Sequence, residues 1–135
     1  MLYEQRQGKV GMTEQLGLKE RINRFIKDIM GVEGVRACVL SSRDGILMGK
    51  AFSDDISVPS FAAMSATLLA SAEAAASIAH VPAPQKIVAT SEGALMMVIS
   101  AGERTLIAAI LKDDTDQEAA YTALTEIARE IAEVL

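Results

Sequence analysis

The chain has 135 residues, a net charge of -5, 50% hydrophobic residues and only 4% aromatics. That is one ordinary domain, and it excludes a two-domain enzyme, a disulfide-held miniprotein and a disordered chain. The acidic balance and the scarcity of aromatics also argue against nucleic acid and anionic membrane surfaces, which bind positive charge and, for single strands, stacking rings.

Residues 1–12 (MLYEQRQGKVGM) are expected to form a flexible polar N-terminal extension, broken by Gly8 and Gly11 and lacking a signal-peptide core. The domain proper spans 13–135. Thr13 is placed to cap an amphipathic helix in which Leu16, Ile22, Phe25, Ile26 and Ile29 recur at helical spacing, and Gly31 ends it. Val35 to Ser42 has strand character. Arg43-Asp44-Gly45 then turns the chain into a return strand, Ile46 to Phe52, in which Gly49 and Lys50 suit an exposed edge. After a polar loop with Asp54-Asp55, Val58 to Ala79 forms an Ala/Ser-rich helix with Pro59 in its first turn and Glu73 as its one charged residue. Val81-Pro82-Ala83-Pro84 stops it. Lys86–Ser91, Ala94–Ala101 and Arg104–Lys112 are three strands joined by Glu92-Gly93 and Gly102-Glu103, turns short enough to force antiparallel pairing. Asp113, Asp114 and Asp116 precede a last helix running through Val134.

The last two strands do not alternate. ALMMVI and LIAAIL are apolar at every position, so both faces of the sheet must be covered. The two amphipathic terminal helices are placed together on one face and the central helix alone on the other. The fold class is therefore α/β, a three-layer α/β/α sandwich on a five-stranded antiparallel sheet. In that position the central helix should show water a charged stripe, and it shows Glu73 alone. Three readings stand: a membrane span, an alanine-rich surface helix, and a helix whose second face packs on another chain. Pro59, Glu73 and the dominance of Ala and Ser oppose the first. Ala62, Ala66, Ala70 and Ala74 form a smooth strip at i+4 spacing, and this favours self-association.

The catalytic inventory is thin. The chain has a single histidine and a single cysteine, so no catalytic residue, metal site or cofactor site is expected. His80 sits where a helix ends, and Cys38 lies mid-strand in an apolar run. There is no phosphate-cradling glycine loop and no cluster of zinc-type ligands. Asp113, Asp114 and Asp116 read as helix-capping acids and Asp54-Asp55 as a solvated loop. Glu73 is open between a rim charge and a partner contact. Arg43 at a hairpin tip is expected to be solvated. One unpaired cysteine gives no internal disulfide, so a cytoplasmic location is expected.

Several stretches taken together resemble the Roadblock/dynein light chain family, including its MglB-like regulators of small GTPases. They are the opening helix leading through GVEGV into a strand, the hairpin VLSSRDGIL, the uncharged Ala/Ser helix, and the strands IVA, EGALMMV and LIAAI. The resemblance covers about Thr13 to Leu135. It implies the profilin-like sandwich just described with strand order 2-1-5-4-3, and dimerisation through the middle helix and third strand. It also implies a non-enzymatic function: regulating or scaffolding a small Ras-like GTPase. The alternatives are a dynein-light-chain-like adaptor without effect on GTP turnover, or a small-ligand sensor. By position, the dimer or partner surface would involve Phe61, Met64, Ser65, Leu68, Leu69, Ala72, Glu73 and Ala76 on the helix, and Lys86, Ile87, Val88, Ala89 and Thr90 on the strand.

Overall fold

The computed structural model describes residues 17–53 and 56–135. The expected extension over 1–12, the cap at Thr13 and the pair Asp54-Asp55 lie outside the described residues. Helix α1 is described over 17–30. It is followed by β1 (Val35–Ser42), β2 (Leu47–Ala51), α2 (Val58–Ile78), β3 (Lys86–Ser91), β4 (Ala94–Ala101), β5 (Thr105–Leu111) and α3 (Gln117–Val134). The strands form one antiparallel sheet in the order β2-β1-β5-β4-β3. The early strands thus lie at one end of the sheet and the later ones at the other, with β2 and β3 as its edges.

Residue parity assigns the two faces. Cys38, Leu40, Leu95, Met97, Ile99, Ile107, Ala109 and Leu111 point to one side. There they meet Ile22, Phe25, Ile26 and Ile29 of α1 and Ala120, Leu124, Ala128 and Ile131 of α3. The intervening Val39, Val98, Leu106 and Ala108 point to the other side, where Val58, Ala62, Ala66 and Leu69 of α2 cover them. The three-layer sandwich is therefore as expected, with the terminal helices on one face and α2 alone on the other. It explains why β4 and β5 are apolar without alternation. Each such fully buried Val, Leu or Ile contributes about 1.5–3 kcal/mol.

Local chemistry sets the ends of the elements. Asp116 caps α3 by accepting the Ala119 N–H at 3.1 Å, and Glu118 lies in the first turn near the positive end of the helix. Asp113 and Asp114 are exposed and make no cap bond in this structure. Helix α2 starts at Ser57 without a side-chain cap, with Pro59 in its first turn. It ends in a Schellman turn: the Val81 N–H donates to the Ala76 carbonyl at 3.0 Å and the His80 N–H to the Ser77 carbonyl at 3.2 Å. His80 occupies the left-handed position of this turn, with φ 57, where glycine is usual. It thus ends the helix through its backbone.

Gly49 has a packing role that its sequence context did not indicate. A Cβ there would stand 2.6 Å from Ile22 Cγ2 and 3.0 Å from Ile26 Cγ1, so the missing side chain is what lets α1 lie on β2. Strand β1 is irregular against β2, where the register shifts between Leu40 and Ser41.

Candidate functional site

Helix α2 has one charged residue, and its Ser and Thr residues are spread around it rather than gathered in one stripe, so packing gives it direction. Val58, Ala62, Ser65, Ala66, Leu69 and Ala76 are buried against the sheet. On the opposite side Met64 is 64% exposed and Ile78 is 81% exposed. Thr67, Ala70, Ser71, Ala74 and Ala75 complete an uncharged outer surface. Among the described residues α2 is the one helix long and apolar enough to cross a bilayer. Here it forms the third layer of a sandwich.

The expected partner residues fall into three groups. Ser65, Leu69 and Ala76 turn inward and belong to the core side of the helix. Phe61, Leu68 and Ala72 are half-buried on its flanks, and Phe61 also stacks edge-to-face with Phe52 at 5.0 Å. Met64 stands fully outward. The alanine strip divides likewise: Ala62 and Ala66 face the sheet, whereas Ala70 and Ala74 are exposed.

Glu73 does not belong to the outward surface. Arg43, from the turn after β1, folds back to it. One guanidinium nitrogen, Nη1, donates to Glu73 Oε1 at 2.6 Å. The other, Nη2, donates to Ser100 Oγ at 2.6 Å and to the Gly102 carbonyl at 3.0 Å. The Arg43 backbone N–H donates to the Arg104 carbonyl at 2.8 Å, and Nε is buried without a partner. Arg43 is therefore not the solvated turn residue its sequence context suggests. A lone carboxylate on an otherwise uncharged helix was the signal that a counter-ion was needed. The counter-ion sits 30 residues earlier, where no helical or strand period points to it.

Strand β3 holds an outer position of the sheet, at the opposite edge from β2. It pairs with β4 alone among the described strands. Lys86, Ile87 and Val88 are half-buried, while Ala89 and Thr90 are exposed. Ile87 packs with the α2 cluster. The one charge on the strand is turned away from the edge: the Lys86 ammonium lies 4.2 Å from the Tyr121 ring centroid, and the Tyr121 hydroxyl donates to Gln85 Oε1 at 3.1 Å. The outer rim of β3 thus presents backbone N–H and C=O groups with no lysine or proline guarding them past Lys86.

The remaining candidates carry little chemistry. Cys38 is fully buried, and burial pushes its thiol up to about 12, against a smaller lowering by a backbone hydrogen bond at Ala51. Among the described residues no three His, Cys, Asp or Glu side chains gather as a metal site. A hollow of about 500 Å³ lies at the start of α3, lined in part by Glu33, Lys112, Asp114 and Asp116. The Asp116 carboxylate there is already engaged as the helix cap.

A family model for the Roadblock/LC7 domain matches residues 22–112. No curated protein matches the chain by sequence. Solved structures do. The Myxococcus xanthus MglB superposes with a TM-score of 0.78 at 15% identity, covering 84% of this chain and 94% of that one. An MglB with tetrameric arrangement gives 0.77 at 18% identity, covering 87% and 89%. A Roadblock/LC7 domain from Streptomyces avermitilis gives 0.72 at 18% identity, covering 80% and 91%. At such identities the likeness is one of fold.

Proposed function

Because this chain belongs to the Roadblock/LC7 family, we propose that it is a homodimeric binding module. It regulates or scaffolds a small Ras-like GTPase in the cytoplasm, contributing surface and no catalytic group. The observation that carries this reading is that two surfaces are left open together, the uncharged outer side of α2 and the unguarded edge of β3, whose Ile87 packs with the α2 cluster. Met64 and Ile78 are large exposed side chains, and the outer edge of β3 has no partner strand among the described residues. A two-fold copy would satisfy both at once, strand on strand and helix on helix. The second surface of the helix then supplies the apolar area that an exposed patch of this kind normally reserves for a partner. The family membership and the likeness to MglB structures support the regulatory assignment, and one of those relatives is itself an assembly of four.

Sedimentation over a concentration series tests the first half of the proposal. The expected species has twice the 14.3 kDa chain mass. A chain that stays monomeric at micromolar concentration refutes it. For the second half, nucleotide turnover and exchange by a candidate small GTPase are followed with and without the protein. A changed rate identifies a regulator. Binding with unchanged rates identifies an adaptor, and no binding refutes the GTPase reading.

A further inference from the structure

We propose that Arg43 is the positioning residue for the partner-binding face of α2: its guanidinium holds the C-terminal half of the helix on the sheet. The helix is anchored unevenly. Over its first twelve positions it buries Val58, Ala62, Ser65, Ala66 and Leu69; over the remaining nine it buries Ala76 alone. One alanine methyl is a small anchor, because hydrophobic stabilisation scales with the apolar area removed from water. Met64 belongs to the well-anchored half. Ile78, the most exposed large apolar residue of the helix, belongs to the other. The outward face is one continuous surface only while both halves lie down.

Arg43 supplies the hold that burial does not. It reaches Glu73 at 2.6 Å from the helix side, and Ser100 Oγ at 2.6 Å and the Gly102 carbonyl at 3.0 Å from the sheet side. Three separate pieces of chain, the β1–β2 turn, the second half of α2 and the β4–β5 turn, meet at one planar group. The fork geometry of a guanidinium suits this task, since its donors point at several acceptors in fixed directions while an ammonium acts as a point charge. The pair is 25% and 33% exposed, so water competes for it and the hold is modest.

The inference rests on the reading of α2 as the binding face, yet its test does not need a partner. Amide hydrogen exchange is measured on the full chain for the wild type, Arg43→Met, Arg43→Lys and Glu73→Gln. In Arg43→Met, exchange over residues 70–78 should accelerate about tenfold, the order expected for losing a charge-assisted bond partly screened by water. Residues 58–69 should keep their wild-type rates. Arg43→Lys should recover part of the protection through its remaining charge, and Glu73→Gln should show the same local pattern at smaller size. Uniform acceleration along the whole helix would overturn the proposal, since it reports general destabilisation. Unchanged rates over 70–78 in Arg43→Met would overturn it equally. A wild-type chain that neither dimerises nor binds a GTPase refutes the proposed function and leaves the exchange comparison as it stands.

Discussion

Two substitutions five residues apart on α2 separate its packing role from the binding role proposed for it. Leu69 is fully buried in the cluster with Val39, Val98, Leu106 and Ala108. Leu69→Ala removes three carbon groups at about 0.8 kcal/mol each. The cavity left behind brings the cost to about 3–4 kcal/mol. For a domain of 135 residues that corresponds to a fall in Tm of roughly 10–15 °C. Met64 is 64% exposed, and its partner-free side chain packs little. Met64→Glu should therefore change the stability of the isolated chain by less than about 0.5 kcal/mol. In a two-fold seam the same change desolvates a carboxylate in each copy, which costs several kcal/mol per charge. The dimer Kd should then rise at least about a hundredfold. Thermal unfolding by circular dichroism, run at concentrations below the dimer Kd, reads the first quantity, and sedimentation equilibrium reads the second. Equal losses of Tm from both substitutions would refute the division of the helix into inner and outer sides. A Met64→Glu variant with unchanged assembly mass would refute the outer side as the seam.

Other outcomes follow from single positions. His80→Gly should raise stability by about 0.5–1 kcal/mol, because the left-handed backbone at φ 57 costs a side-chain-bearing residue more than glycine; a lower Tm would contradict the turn geometry. Asp116→Ala should cost about 1 kcal/mol by leaving the Ala119 N–H without its acceptor, measured by urea unfolding. Cys38 should resist thiol reagents in the native state and react only as fast as the chain opens. Its thiol is raised from the ordinary 9.0 to about 12, so the folded chain keeps its proton where the unfolded chain loses it. Its contribution to stability is therefore complete below pH 9.0 and is lost progressively as pH rises toward about 12. Fast labelling of Cys38 at neutral pH would show that the strand is open.

The strands and the two-sided covering of the sheet are legible in the sequence for a physical reason. Apolar runs such as LIAAIL cannot face water on either side, and turns as short as Glu92-Gly93 permit only antiparallel neighbours. The direction of α2 is not legible. A helix with a single charge and no continuous polar stripe has no polar side to point outward, so periodicity carries little information about its orientation. The strip of Ala62, Ala66, Ala70 and Ala74 looks like one line because its members are four apart. Four residues advance the helix slightly beyond a full turn, about 40° per step. Over three steps the strip swings through roughly a third of a circle, from the sheet at Ala62 to solvent at Ala74. Arg43 is illegible for a different reason: its partners Glu73, Ser100 and Gly102 are brought to it by tertiary folding, and nothing local marks it.

The two rims of the sheet have different consequences for how far association can run. If β3 of one copy paired with β2 of the next, each addition would expose a fresh β3, and the result would be an open fibre. Pairing β3 with β3 consumes both such rims at once and leaves only β2 strands outside. Those outer strands are poor templates: they are short, carry an exposed Lys50, and lie against a β1 whose register slips at Leu40/Ser41. In the proposed pair, the asymmetry between one inviting rim and one blunt rim would act as a chain terminator, favouring a closed pair over a polymer.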